Sequence, residues 1–425
     1  MHLDLKNKVQ SEIIRNSAKL FSANVVAQAI GLLVYPILTR LYAPEDFGLL
    51  SLFTSISGVL IILSTLGYQE AIVLPKEEEE AHAVAHLSFF LIAITTLVLI
   101  CSIPFAGQIA GIFNSPKLEN YYWLLPFYVL IVGIWNVLNY WYIRQRAYNR
   151  ISGYQMTQSF FSSGYKLGFG FMGWLSGGLI VASVLSSLCS LIISFSLGFK
   201  KFIRPLPVWR KEKIRQVAVQ YANFPKFSMP HSLINYVAGQ LPVLLLTPFF
   251  TAHEIGLWSM AVTLSFVPIS MLTNALFQVL YQRISEMVND RRSIAKVHKR
   301  FTLLALVVLI PLFAGLSFVL PAITEWVLGD GWRITGVYIR WMLPWLLCVF
   351  LCGSVGYLYS IFYKQKYGLY FEIVIAVARL IALCIGIYYK NFALAVGGYA
   401  AVSALINGLQ YIWLMRLVSR YEKSL

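Results

Sequence analysis

Charge is what this sequence has least of. Only 12% of its 425 residues are Asp, Glu, Lys or Arg, about half the share that keeps a soluble globule hydrated. With 58% hydrophobic residues and a mean hydropathy of +0.69, that scarcity excludes a soluble globule and points to an all-α polytopic membrane protein. Cysteine is scarce as well. Cys101, Cys189, Cys348, Cys352 and Cys384 all lie inside apolar runs and none forms a CxxC pair, which argues against metal or redox chemistry. No P-loop, GxSxG, HExxH or dinucleotide fingerprint stands on a strand-to-helix turn, so no cofactor, metal or catalytic residue is expected. His82 and His86 share a helix face without a third ligand nearby and are expected at the membrane interface. The first twenty residues carry Asp4, Lys6, Lys8, Glu12, Arg15 and Lys19 and lack a small-residue cleavage site, so no removable signal peptide is expected.

What is present is repetition. Leu38 to Ser51 returns 208 residues later as Leu246 to Ser259, with Leu38/Leu246, Thr39/Thr247, Gly48/Gly256, Leu49/Leu257 and Ser51/Ser259 identical and Asp46/Glu254 alike in charge. Each copy looks like a tight turn followed by a helix start. Thr251 and Glu254 have capping-box spacing, and Pro44 suits a first helical position with Asp46 in the first turn. A second echo sets Tyr142-Ile143-Arg144-Gln145-Arg146 against Phe362-Tyr363-Lys364-Gln365-Lys366. Twelve apolar runs are long enough to span a bilayer: 16–39, 46–74, 83–106, 120–143, 151–172, 177–199, 226–249, 254–281, 301–321, 333–362, 367–389 and 393–415. The expected organisation is a six-helix half over 1–199, a linker over 200–225 and a second six-helix half over 226–425. An even number per half gives both repeats the same orientation, related by a pseudo-twofold along the membrane normal.

Orientation follows from Lys and Arg. On the side of the N-terminus lie 27 of the 34, while the opposite side holds only Arg40, Lys117, Arg333, Arg340 and Lys390. Both termini are therefore expected in the cytoplasm, and the net charge of +16 faces anionic lipid without calling for a nucleic-acid partner. The linker, with Lys200, Lys201, Arg204, Arg210, Lys211, Lys213 and Arg215 around Pro205 and Pro207, reads as an amphipathic segment on the membrane surface or a dock for an anionic partner. The acidic run Glu77 to Glu80 falls in a cytoplasmic loop.

Ionisable groups at membrane depth are few, and each costs about 2.5–3.5 kcal/mol on insertion scales. Lys166 lies in the fifth span and Arg379 in its counterpart, the eleventh; Glu372 is seven residues before Arg379, on the same face. These cations either line a hydrated interior that attracts an anionic substrate or serve interhelical pairing and snorkelling. Glu70 closes the second span, and the repeat offset places Gln278 opposite it. Glu70 and Glu372 are the candidate proton carriers. Amides recur three to five residues apart, as Asn24 and Gln28, Asn136 and Asn139, Gln155 and Gln158, Asn235 and Gln240, Asn274 and Gln278, Asn407 and Gln410. They either face a sugar-compatible cavity or bond helix to helix. Pro36, Pro230, Pro242, Pro248, Pro268, Pro311 and Pro344 offer kinks, concentrated in the seventh span.

Leu38-Thr39-Arg40-Leu41-Tyr42-Ala43-Pro44-Glu45-Asp46-Phe47-Gly48, with Glu70-Ala71-Ile72-Val73-Leu74-Pro75-Lys76 further on, resembles the N-terminal part of bacterial polysaccharide repeat-unit translocases. These are the O-antigen or Wzx-type flippases of the multidrug/oligosaccharidyl-lipid/polysaccharide exporter superfamily. That family often has Arg-Tyr-Glu before the x-Ala-Ile step, where this chain has Gly67-Tyr68-Gln69 and the acid displaced to Glu70. The resemblance implies a flippase of the bacterial inner membrane that moves an undecaprenyl-pyrophosphate-linked oligosaccharide to the periplasmic leaflet by alternating access. It also implies membrane lipids, a polysaccharide polymerase and chain-length machinery as partners; Arg379, and more weakly Lys166, are expected to attract the pyrophosphate because other cations at depth are scarce. A drug or cation antiporter of the same superfamily would favour buried acids instead. A membrane polymerase or glycosyltransferase would need a large extramembrane catalytic loop, and the outward loops here are short.

Overall fold

The computed structural model describes residues 25–202 and 211–423, the side chains of 176 and 197–202 excepted. Among the described residues there is no strand, and twelve long helices follow one another. They are α1 Val25–Leu41, α2 Pro44–Thr65, α3 Glu78–Cys101, α4 Leu124–Arg144, α5 Tyr148–Phe171, α6 Leu175–Phe202, α7 Met229–Leu246, α8 Ala252–Asn289, α9 Ala295–Leu328, α10 Arg333–Val355, α11 Gln365–Tyr388 and α12 Phe392–Glu422. All twelve expected spans coincide with one of these, and the chain is a multi-pass membrane protein. Nine meet a strict length-and-hydropathy test; α1 is short, and α5 and α7 are diluted by Ser, Gln, Asn, Tyr and Gly. Asn24, the N-terminal charges and the linker residues Arg204, Pro205, Pro207 and Arg210 lie outside the described residues.

The helix starts follow the repeat. In the first copy Pro44 opens α2 and the Asp46 carboxylate accepts the Ala43 amide at 3.1 Å. In the second, the Glu254 carboxylate accepts the Thr251 amide at 3.0 Å while Thr251 Oγ1 accepts the Glu254 amide at 3.3 Å. Two acids at one aligned position thus satisfy the same orphan donor.

Two expected spans are broken where hydropathy shows no break. The run 46–74 ends its helix at Thr65, because Leu66 and Gly67 take left-handed conformations (φ 49° and 79°) before a single turn, Tyr68–Ala71. The run 333–362 likewise stops at Val355 and resumes as Leu358–Ile361. Internal prolines fall at Pro36 in α1, Pro242 in α7, Pro268 in α8, Pro311 and Pro321 in α9 and Pro344 in α10. Pro230 lies in the first turn of α7 and Pro248 just beyond its end, so three prolines fall within or beside the seventh helix, while α9 holds two in its interior.

The chain gathers into two compact units, Met1–Pro248 and Phe249–Leu425. In the first, α4 touches α2, α3 and α6, and α5 pairs with α6; in the second, α10 touches α8, α9 and α12, and α11 pairs with α12. One neighbour scheme therefore serves both. In the first unit α7 also packs along α2, where the Tyr236 hydroxyl donates to the Thr54 carbonyl at 3.1 Å and Ser55 Oγ to Gln240 Oε1 at 2.9 Å. The α11–α12 pair is tight enough that a Cβ on Gly386 would lie 2.4 Å from Ala395 Cα and 2.6 Å from its nitrogen.

Candidate functional site

In the second unit, Arg379 sits mid-way along α11 and half-buried. Its Nε donates to Ser403 Oγ on α12 at 2.8 Å. The Ser403 hydroxyl hydrogen goes to the Tyr399 carbonyl at 2.6 Å, so a lone pair is free to accept the guanidinium. The guanidinium carbon lies 5.1 Å from the Trp345 ring centre and 4.8 Å from that of Tyr399. Each such contact is worth about 0.5–2 kcal/mol, the upper value where water is excluded. Both rings are buried and fixed by neighbours. Trp345 meets Tyr399 edge-on at 5.5 Å, Phe266 of α8 packs 4.6 Å from Trp345, and Trp258 lies 5.9 Å from Tyr399.

This box holds the cation by its Nε and its faces, and among the described residues Nη1 and Nη2 make no hydrogen bond. Trp345 Nε1 is a second buried donor with no acceptor. Glu372 does not neutralise the site. Seven residues of helix separate it from Arg379 by about 10 Å, and its side chain is exposed with no ion pair among the described residues. Chemically, a guanidinium with both Nη groups open can donate to an oxyanion.

Lys166 is in the first unit, half-buried on α5. Its carbonyl accepts the Tyr42 hydroxyl at 2.7 Å, and its ammonium has no partner among the described residues. Glu70 lies in the turn Tyr68–Ala71, half-buried. Burial raises its carboxyl pKa above the usual carboxylate value, and the His231 charge acts in the opposite sense.

The amides divide. Gln240 bonds α7 to α2, and Gln410 Nε2 donates to the Tyr359 hydroxyl at 3.0 Å; both do structural work. Gln158 Nε2 reaches Ser187 Oγ at 3.3 Å beside a polar cluster whose amides the sequence singled out but whose aromatic and serine members it did not. There Trp135 and Tyr154 stack at 3.4 Å, and Asn139 Oδ1, Gln155 Oε1 and Ser190 Oγ are buried without a hydrogen-bond partner. The signal was the stripe Ser183, Ser186, Ser187, Ser190 and Ser194 on one face of α6.

Around the turn Tyr68–Ala71 the charged segments find one another. Arg144 Nη1 donates to the carbonyls of Ile72 (3.1 Å) and Pro75 (2.6 Å), holding the loop before α3. The linker forms a helix, Lys211–Gln220. It lies on the acidic start of α3, with Lys213 paired to Glu79, and Gln220 and Tyr221 donating to Glu80 at 2.7 and 2.9 Å. Tyr68 OH donates to the Ala218 carbonyl at 2.9 Å, and Val217 is buried. The anion that this part of the linker meets thus belongs to the same chain. His82, near the start of α3, is buried; its Nδ1 donates to the Glu78 carbonyl at 2.7 Å and its ring lies 4.6 Å from Trp141.

The fold is that of known transporters. A structure titled as the inward-facing conformation of a multidrug resistance MATE family transporter of the MOP superfamily is 15% identical, with a TM-score of 0.69 over 95% of both chains. A second, titled as the outward-facing conformation of such a transporter, is 13% identical with a TM-score of 0.55 over 95% of this chain and 96% of that one. Among curated proteins, the succinoglycan biosynthesis transport protein ExoT of Rhizobium meliloti (strain 1021) is 20% identical over 328 residues, 76% of this chain. The chain spans 62% of that relative's length. A family model described as polysaccharide biosynthesis protein matches residues 37–335, which include both copies of the repeat and the segment from Leu38 to Lys76. That match covers well over half of the chain and bears out the resemblance drawn from the sequence: the chain belongs to the polysaccharide biosynthesis protein family, on a MATE-type fold.

Proposed function

We propose that the protein translocates an undecaprenyl-pyrophosphate-linked oligosaccharide across the bacterial inner membrane, from the cytoplasmic to the periplasmic leaflet. It does so by alternating access, as a protein of two six-helix halves, 1–199 and 226–425, with both termini in the cytoplasm. A pyrophosphate cannot enter hydrocarbon without a counter-charge. The observation that carries the proposal is Arg379, held by Ser403, Trp345 and Tyr399 with its Nη fork open. Lys166 is the second cation offered to the phosphates. The Trp135–Tyr154 stack with its unpaired amide and hydroxyl oxygens supplies an apolar face and acceptors suited to sugar. Membership in a polysaccharide biosynthesis family agrees with that cargo. A polymerase and chain-length machinery would take the product.

The rival is a drug or cation antiporter, the class named in the titles of the structural neighbours. An unneutralised cation in the second unit opposes cationic cargo. Of the two carboxylates considered for proton coupling, Glu372 is exposed and Glu70 half-buried, so Glu70 becomes the better carrier.

The test is complementation of polysaccharide export with membrane abundance measured alongside. Losing a charge-assisted bond costs about 1.5–3 kcal/mol, roughly ten- to a hundredfold in substrate affinity. Arg379→Ala should abolish export at normal abundance, and Arg379→Lys, which keeps charge without the fork, should not restore it. Full export by Arg379→Ala would reject the site. Reporter fusions after residue 215 should read cytoplasmic and after residue 330 periplasmic; the reverse rejects the topology.

A further inference from the structure

Between the first turns of α9 and the last turns of α12 lies a cavity of about 520 Å³ that the translocation proposal does not use. Its composition is graded along α9. Lys296 and Lys299 stand at the helix start, and Leu303 and Leu306 follow on the same face further in. From α12, Met415, Val418 and Ser419 complete the wall, with Thr302 and His298 between.

The other polar groups here are already engaged. Glu422 Oε1 accepts the amides of Ile294 (2.6 Å) and Ala295 (2.9 Å), closing the N-terminus of α9. Buried His298 uses both ring nitrogens, one on the Ile294 carbonyl at 3.0 Å and one on the Tyr357 hydroxyl at 3.1 Å. Thr302 Oγ1 bonds the His298 carbonyl and the Tyr411 hydroxyl. Lys296 and Lys299 are exposed and make no ion pair among the described residues. The wall is open outward rather than into the unit, since Leu303 is 60% exposed and its α9 neighbours Leu304, Val307 and Val308 are exposed with it, and an apolar outer face of a membrane helix is one that acyl chains cover.

Two cations at the end of a membrane helix, continued by an apolar trough open to lipid, match one molecule in both charge and polarity gradient. We propose that this cavity docks an anionic phospholipid of the leaflet at which α9 begins. Its phosphate sits against Lys296 and Lys299 and one acyl chain lies along Leu303 and Leu306. Basic pockets between membrane helices hold anionic head groups in this way. The occupant is a resident lipid, whichever cargo the protein moves, so the failure of one proposal leaves the other standing.

The experiment uses the purified full chain in nanodiscs of phosphatidylcholine with graded phosphatidylglycerol, reading retained lipid by native mass spectrometry. Phosphatidylglycerol should be retained over phosphatidylcholine. Lys296→Gln with Lys299→Gln should weaken retention roughly thirtyfold, on the usual worth of a basic residue at an anionic surface. Leu303→Trp, which fills the trough and spares both charges, should also reduce it. Equal retention of the two lipids, or retention unchanged in both variants, overturns the proposal. So does competition by inorganic phosphate alone, which would reduce the site to a phosphate contact. Displacement by undecaprenyl phosphate, with no competition from added phosphatidylglycerol, would assign the cavity to the carrier lipid and overturn it equally.

Discussion

Gly386→Ala should split the α11–α12 pair. The new Cβ would meet Ala395 Cβ at 2.3 Å, Cα at 2.4 Å and N at 2.6 Å, whereas ordinary contact begins at 3.4 Å. Two of the three atoms are backbone and cannot rotate away, so the helices must part by about 1 Å, an overpacking cost of about 1–3 kcal/mol. The same opening, transmitted along the pair, strains the 2.8 Å bond between Arg379 Nε and Ser403 Oγ, which contributes about 1.5–3 kcal/mol of its own when intact. Thermal unfolding in detergent, followed by a thiol probe reaching buried Cys352, should therefore shift downward, and export should fall with it. A second variant separates the causes. Adding Ala395→Gly removes the nearest atom and leaves Cα and N in place, so it should recover little of the loss. Wild-type unfolding by Gly386→Ala, or full recovery in the double variant, would refute the backbone clash.

Arg144→Ala should free the loop from Ile72 to Glu77, seen as faster amide exchange there with α3 itself unchanged; Arg144→Lys, with one ammonium in place of a fork, should restore only part of the protection. Glu70 predicts a pH dependence. Burial raises its folded-state pKa above the usual 4.5, so the native state holds the proton more tightly than the unfolded chain. The stability it contributes is present in full below that value and is lost as pH rises through the raised one. Relative to Glu70→Gln, the wild type should lose stability across that interval; a difference that stays flat with pH would reject the burial effect.

The helices and their capped starts were legible because they rest on local chemistry: apolar length, a proline at a first position, an acid three residues past a cap. Arg379 was legible because a cation at depth is conspicuous against 58% hydrophobic sequence. The break at Leu66–Gly67 was not, since hydropathy carries no record of φ and Leu66 is an apolar residue like its neighbours. The aromatic box escaped for another reason. Trp258, Trp345, Arg379 and Tyr399 come from four helices, and only the packing of α8, α10, α11 and α12 makes them neighbours. Glu372 and Arg379 share a face as the spacing indicates, but two turns exceed the reach of an ion pair. The linker's contact with Glu79 and Glu80 spans more than a hundred residues and rests on charges that, in sequence, looked equally suited to solvent.

The open fork of Arg379 also has a thermodynamic consequence. A guanidinium kept at membrane depth without a counter-ion leaves the empty protein carrying part of an insertion cost of about 2.5–3.5 kcal/mol, offset by Trp345, Tyr399 and Ser403. On the proposed function, an anion that fills the fork would relieve what is left and stabilise the fold by mass action, about 2.7 kcal/mol at a hundred times its dissociation constant. If Arg379 holds the cargo as proposed, the melting temperature of the protein becomes a titration of that cargo.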